Sequence, residues 1–443
     1  MKIKNGVGPL FTDLYELTMA ASYYKHRIES RATFSLFIRG YPPNRNFFVA
    51  AGLKSVLNEL ESFYFSDSDI KYLKTTGLFS DDFLSYLEVL RFSGSIHALS
   101  EGTIFFANEP ILEVTAPVIE AQILETFVLN TIGFSTMIAS KAARCLYAAH
   151  GRPLIDFSLR RTHGKDAGME VARSTYISGF MATSNVLAGK TYQIPISGTM
   201  AHSYVSAFDS ELEAFSAYSN TFPENSIFLI DTFDTIEGAH HAVKVAKKME
   251  QKGYFLTGVR LDSGDMVILS KKVRKILDEA GLFNVKIFAS SGFDEFKIED
   301  FISKGAKIDA FGVGTKVGVS ADAPYLDIVY KVVRFKDRNT RKLSPGKITL
   351  AGEKQVFRKT DKKGVYIDDV IGIRDEKIGG RQTLLKKVME HGKCVGTYPS
   401  LEEIRNKFEN NFSYLDEKYK SLVDTETYPV KLSTRLLNLQ KKL

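Results

Sequence analysis

His202 stands in the run Gly198-Thr-Met-Ala-His-Ser203, among small residues and just ahead of a predicted helix. Small residues let a backbone approach a ligand closely. A helix start favours anionic partners. A histidine so placed suits a proton donor or a nucleophile toward a phosphoryl group. Four aspartates, Asp231, Asp234, Asp262 and Asp265, each follow an apolar run. Carboxylates facing one mouth hold Mg²⁺, often through water, or contact ribose hydroxyls, and Asp231 and Asp262 are the metal candidates. Each aspartate could equally cap the helix behind it, although four caps in succession is the weaker reading. Arg260 lies directly before Leu261-Asp262 and is expected deep in the same mouth, with Ser263 beyond it. Arg160 and Arg161 end another short run, where adjacent guanidinium forks suit a carboxylate and a phosphate. Gly312-Val-Gly-Thr315, with Gly314 and Thr315 at its end, is a phosphate-cradle candidate, and Ser290-Ser-Gly292 is a similar small-residue corner. Lys316 follows the cradle as a phosphate contact or a solvated residue.

These residues share one face only if the elements before them are parallel strands. Residues 227–230, 255–261, 285–289 and 308–311 are short apolar runs, and each leads into a polar or Gly-rich corner. Helical periodicity at 236–252, 268–280 and 295–304 separates them, the rhythm of β-α units. Buried parallel strands read as continuous apolar runs, and their functional groups gather at the carboxyl ends. Residues 154–157, a helix over 168–189, a strand over 192–196 and a helix to about Asn220 precede them. Six or more such repeats favour a closed α/β barrel, regular or irregular, over an open sheet.

Residues 1–117 read as α+β, with strands at 32–38, 91–98 and 111–114 and a helix at 53–65. A helical connector is expected over 118–150, interrupted at Gly133. The barrel then spans 151–335. The segment 336–443 opens on a polar break around Pro345, with strand-like pieces near 365–373 and a helix near 401–408.

The chain has 443 residues, 44% of them hydrophobic and 25% charged, which fits an ordinary globular protein with more than one domain. The first 24 residues contain Asp13 and Glu16 and no unbroken apolar core, which argues against a signal peptide. No run reaches membrane-span length. Cys145 and Cys394 lie far apart and outside any metal spacing, so a reducing cytoplasm is expected. Residues 336–443 hold 24 Lys and Arg against 15 Asp and Glu. The two signs are interleaved, so a solvated surface is favoured over a nucleic-acid site.

Together these motifs resemble the nicotinate phosphoribosyltransferases. The match runs from Phe11-Thr-Asp-Leu-Tyr15 through Phe157-Ser-Leu-Arg-Arg161, Ala182-Thr-Ser-Asn-Val-Leu-Ala188, Gly198-Thr-Met-Ala-His-Ser203, Arg260-Leu-Asp-Ser-Gly-Asp265 and Gly312-Val-Gly-Thr-Lys316 to Gly352-Glu-Lys-Gln-Val-Phe-Arg358. The last part of the chain is weakly covered. The resemblance implies an irregular α/β barrel beside an α+β domain built from both chain ends. It implies transfer of a phosphoribosyl group from 5-phosphoribosyl 1-diphosphate to nicotinate, with Mg²⁺ present. ATP would be the co-substrate, coupled through a phosphorylated His202. Arg160, Thr199 and Arg260 would line the pocket, and Gly314 and Thr315 would hold the 5-phosphate. A homodimer or higher homo-oligomer would share its active sites, with Tyr15 reaching across to stack on the pyridine ring. Some members carry zinc-binding cysteines near the C-terminus, where this chain has only Cys394.

Nicotinamide phosphoribosyltransferases share the fold and most motifs. Members of that group carry an aspartate where this chain has Ser184, and an aspartate would repel a carboxylate, so Ser184 with Arg160 and Arg161 favours the acid. A sugar-phosphate aldolase or isomerase would want a lysine or paired carboxylates deep in the barrel, and a binding protein would have no use for His202 beside so many carboxylates.

Overall fold

The computed structural model describes residues 8–342, 344, 349–423 and 426–443. Pro345 and the first seven residues of the chain, on which two of the expectations bear, lie outside the described residues. The chain divides into two compact units, one formed by Met1–Ala139 with Tyr325–Leu443 and one by Ser140–Pro324. The borders expected at 117/118, 150/151 and 335/336 are therefore displaced to 139/140 and 324/325.

In the second unit six short strands form one wholly parallel sheet. Their order is Ala182–Thr183, Leu154–Asp156, Ala310–Val313, Lys286–Ala289, Gly258–Leu261 and Ile227–Leu229. The strands are mostly buried, which is why they read as continuous apolar runs. Helices Thr235–Glu250, Met266–Glu279 and Glu295–Ser303 follow three of them, within a few residues of the expected bounds. Asp234, Asp265 and Asp294 cap these helices, accepting backbone N–H bonds at 2.8–3.1 Å. Such a cap contributes about 1 kcal/mol over alanine.

The sheet curls into a half-barrel. The α/β barrel is thus irregular, as expected, but it does not close. Among the described residues no ladder joins Ala182–Thr183 to Ile227–Leu229. The strand expected over 192–196 shrinks to a single bridge between Ile196 and Thr183. Pro195 has no N–H to donate there and only accepts, from Thr183 N–H at 3.0 Å. The helix expected over 168–189 is two helices, Lys165–Ile177 and Val186–Tyr192, with strand Ala182–Thr183 between them. Gly179, at φ +93°, turns the chain out of the first helix.

The first unit is α+β and built from both chain ends. Its seven-stranded antiparallel sheet runs Arg338–Asn339, Ile328–Phe335, Arg31–Ile38, Pro110–Pro117, Ser95–Leu99, Leu385–Glu390 and Lys393–Cys394. Strand Ile328–Phe335 pairs along Arg31–Ile38 and so belongs here, although the sequence pattern placed it in the barrel segment. Its Tyr330 is fully buried, stacks on Phe34 at 4.8 Å and donates to the Ala121 carbonyl at 3.0 Å. A four-stranded sheet joins Gln382–Thr383, Lys354–Thr360, Tyr366–Ile373 and Val430–Leu432. Helix Leu401–Tyr414 opens on a Ser400–Glu403 capping box. The helical connector breaks at Leu124, between Val118–Ile123 and Glu125–Ala148, and runs straight through Gly133. No helix among the described residues is long and apolar enough to cross a membrane.

Candidate active site

The carboxyl ends of the parallel strands carry the predicted side chains, and hydrogen bonds knit four of those corners together. His202 opens a single helical turn, His202–Val205. Its Nδ1 lies 3.1 Å from the Thr232 hydroxyl and its Nε2 3.8 Å from Asp262 Oδ2. The ring is part-exposed, so it is not a core histidine. Asp262 accepts from the Ser290 hydroxyl through Oδ1, and its backbone N–H donates to Asp231 Oδ2 at 2.8 Å. The Ser263 hydroxyl donates to that same Asp231 oxygen at 2.6 Å.

The four aspartates split by role. Asp234 and Asp265 are helix caps. Asp231 and Asp262 face inward and cap nothing. Each keeps one oxygen out of these hydrogen bonds. Asp231 Oδ1 is buried with no hydrogen-bond partner among the described residues, and Asp262 Oδ2 faces His202. Among the described residues no group of three or more His, Cys, Asp or Glu converges on a metal position. Two carboxylate oxygens fit Mg²⁺ all the same, because that ion takes one or two carboxylates and completes its shell with water and substrate phosphate.

Arg260 lines the mouth and donates to the Thr199 hydroxyl, while its buried Nε has no hydrogen-bond partner among the described residues. Burial pushes the guanidinium below its ordinary pKa. Asp262 and Asp231 oppose that shift, and Arg160 adds to it. Arg160 and Arg161 lie on the exposed turn Leu159–Arg161; the Arg161 N–H donates to the Ser158 carbonyl at 2.7 Å, and neither guanidinium has a hydrogen-bond or ion-pair partner among the described residues. Arg160 is thus near enough to Arg260 for their charges to be felt together, a setting that draws an anion.

Asp156 braces the floor. Its carboxylate accepts from Ser158 N–H at 2.9 Å and the Thr183 hydroxyl at 2.8 Å, and its carbonyl accepts from Ser184 N–H at 2.8 Å. Burial raises its pKa, and the two bonds work against that. Ser184 itself is half-buried. Gly312 lies so close to Phe157 that a Cβ there would fall 2.5 Å from the ring, so only glycine fits. Gly314 and Thr315 continue directly into the turn Thr315–Gly318. Gly292 takes φ +66° on the neighbouring corner. Lys316, read as a phosphate contact or a solvated group, is ion-paired to Asp294 at 2.6 Å.

Tyr15 belongs to the first unit and is exposed, on helix Leu14–Lys25. Fully buried Glu16 anchors that helix by accepting from Thr12 and from both Thr126 N–H, at 2.9 Å, and the Thr126 hydroxyl, at 2.6 Å. Thr232, beside His202, and Asp294, paired with Lys316, join these corners, and sequence reasoning passed over both. Their only signals were position: Thr232 between two strand-end aspartates, Asp294 one residue ahead of a helical stretch.

Comparison with known proteins covers nearly the whole chain. The nicotinate phosphoribosyltransferase N-terminal domain matches residues 10–133, the nicotinate phosphoribosyltransferase family 153–340, and the corresponding C-terminal domain 381–440. The last match extends the resemblance past residue 358, where the motifs stopped. A nicotinate phosphoribosyltransferase of Mycobacterium tuberculosis is 45% identical over 439 residues, covering 99% of this chain and 94% of that protein. One from Bacillus subtilis is 40% identical over 455 residues, covering 96% and 92%. The crystal structure of human nicotinic acid phosphoribosyltransferase matches with a TM-score of 0.88 at 27% identity, covering 98% of this chain and 99% of that one.

Proposed function

The chain belongs to the nicotinate phosphoribosyltransferase family and is an enzyme of NAD biosynthesis from nicotinate, and we propose that it couples ATP hydrolysis to phosphoribosyl transfer through His202. The transfer takes the 5-phosphoribosyl group from 5-phosphoribosyl 1-diphosphate to nicotinate, yielding nicotinate mononucleotide and diphosphate. The observation that carries the ATP-coupled reading is His202 Nε2 standing 3.8 Å from Asp262, beside Asp231 and Arg260 in one mouth.

As the bond from ribose C1 to the diphosphate oxygen breaks, positive charge develops on the sugar and negative charge on the leaving group. Asp262 stabilises the first and Arg260 the second, while Arg160 faces the nicotinate carboxylate. Mg²⁺, held by Asp231 and Asp262, would supply further charge to the diphosphate. The pyridine nitrogen forms the new bond to C1. It is already a nucleophile and needs no general base. In the coupled reaction His202 takes the γ-phosphoryl of ATP, ADP leaves, and water later releases phosphate. The added negative charge biases the surrounding corners toward a tight-binding state.

The test is mononucleotide formation from nicotinate and from nicotinamide, with and without ATP. Nicotinate should be the better substrate. Arg160→Ala should cost about 1.5–3 kcal/mol with the acid and far less with the amide, since a charge-assisted bond to the carboxylate is lost. Equal or faster turnover of nicotinamide would overturn the acid-specific reading.

We place the enzyme in the cytoplasm, whose reducing conditions suit the free Cys145 and Cys394. The working assembly is a homodimer or higher homo-oligomer in which Tyr15 stacks on the pyridine ring in a neighbouring subunit's site. Tyr15 is exposed, so its ring is open to a neighbouring subunit. Tyr15→Ala should raise KM for nicotinate with little change in melting temperature. Light scattering that finds a fully active monomer during turnover would refute the shared site.

A further inference from the structure

One carboxylate joins the exits of two neighbouring strands. Asp294 follows Lys286–Ala289, and Lys316 follows Ala310–Val313; the two strands pair Phe288 with Ala310 and Ala289 with Phe311. Asp294 Oδ1 accepts from Lys297 N–H at 2.8 Å and so caps helix Glu295–Ser303. Its Oδ2 accepts from the Lys316 ammonium at 2.6 Å. Burial alone would raise the Asp294 pKa, but those bonds outweigh it and hold the carboxyl below its usual range.

From the same helix, Lys297 Nζ donates to the Ser291 carbonyl at 2.8 Å and lies over the Phe293 and Phe301 rings at 4.8 and 5.3 Å. Ser291 takes φ +95° and Gly292 φ +66°. Two consecutive left-handed residues, one of them with a side chain, form a strained turn that persists only where its surroundings over-determine it. Upstream, Ser290 N–H donates to the Leu261 carbonyl at 2.9 Å and its hydroxyl to Asp262. Downstream, the Lys297 bond holds it. The anchor beneath is Glu295, fully buried and ion-paired to buried Lys141 and, at 2.9 Å, to Arg144. Lys141 also meets Asp322 at 2.7 Å. Shifting the helix start would strip partners from buried charges, which is strongly unfavourable. Asp294 therefore stands on a rigid base: it pairs directly with the Lys316 ammonium and, through the Lys297 N–H, fixes the helix start from which the Lys297 ammonium reaches the Ser291 carbonyl, and its charge offsets the repulsion between the two lysines. The net charge of the trio is positive, at the turn that carries Gly314 and Thr315.

We propose that Asp294 is a positioning residue for the phosphoribosyl substrate: it holds Lys316 and Lys297 so that the 290–292 and 312–316 corners form one preset anionic cradle. The proposal rests on the phosphoribosyl transfer described above. Asp294 touches no reacting atom. It acts through the two lysines.

Asp294→Asn keeps the helix cap acceptor and removes the charge that Lys316 pairs with. KM for 5-phosphoribosyl 1-diphosphate should rise about tenfold, as expected for the loss of one charge-assisted bond. KM for nicotinate should move less than about twofold, since a local defect at one substrate's cradle leaves the other's contacts intact. Asp294→Glu should recover part of the loss. Lys316→Met should show a similar rise, and the double variant should be no worse than the poorer single one. Unchanged affinity for the phosphoribosyl substrate, an equal rise in both KM values, or fully additive losses would each overturn the proposal. Wild-type protein run in parallel separates the two questions: no mononucleotide from it would remove the underlying reading, whereas normal wild-type turnover with an unaltered Asp294→Asn variant would remove only the positioning role.

Discussion

His202→Ala should abolish steady-state ATP hydrolysis and the stimulation by ATP, while a slower, ATP-independent formation of nicotinate mononucleotide survives. The separation follows from the chemistry. Diphosphate is already a leaving group and the pyridine nitrogen already a nucleophile, so the ribosyl transfer does not need the phosphorylated ring. The proposed ATP hydrolysis would need it, and removing a nucleophile costs orders of magnitude in rate. The geometry also says why the fold should survive. His202 is part-exposed, on a single turn, and its polar contacts are Thr232 at 3.1 Å and Asp262 at 3.8 Å. ATPase, mononucleotide formation and melting temperature should be measured on the same variant. Retained ATP coupling, or unfolding with no specific loss of coupling, would place His202 outside the mechanism.

Asp262→Asn should lower kcat by about 10²–10³-fold, the range seen when one preorganised electrostatic partner of a transition state is removed. Asparagine has nearly the same shape, and its carbonyl oxygen can still accept from Ser290. The backbone N–H that donates to Asp231 is untouched. What disappears is the negative charge beside the ribose. Melting temperature should change little, because the carboxylate is part-exposed and forms no close ion pair. Rapid-quench measurement of a single turnover would isolate the chemical step. A near-normal rate in that step would show that Asp262 does not face the developing charge.

Both variants target corners that were legible as corners. Repeated short apolar runs ending in polar or Gly-rich turns and separated by helical stretches are the pattern of buried parallel strands handing over to loops, so His202, Arg260, Asp262 and Gly312–Thr315 could be placed on one face from sequence. The helices between the strands announced themselves through 3.6-residue periodicity, and those starting at Thr235, Met266 and Glu295 lie close to expectation. Less was legible where a single residue outweighs a pattern. Gly179 and Pro195 altered a helix and a strand that periodicity alone would have drawn continuously. The strand Ile328–Phe335 was misplaced because an apolar alternation does not say which sheet it will join.

The sequence by itself determined the order of the β-α units, the chemical types at their corners and, through several motifs in register, the family. Those properties are local: they depend on residue identity and on neighbours a few positions away. Only the tertiary structure decided which aspartates join the hydrogen-bonded corners around His202 and which cap helices, since Asp231 and Asp234 differ in nothing but where the backbone aims them. It alone paired Thr232 with His202 and Asp294 with Lys316. It alone left the barrel open between Ala182–Thr183 and Ile227–Leu229. These outcomes depend on contacts between residues some 20 to 150 positions apart, whose geometry exists only once the sheet has curled and its helices have packed.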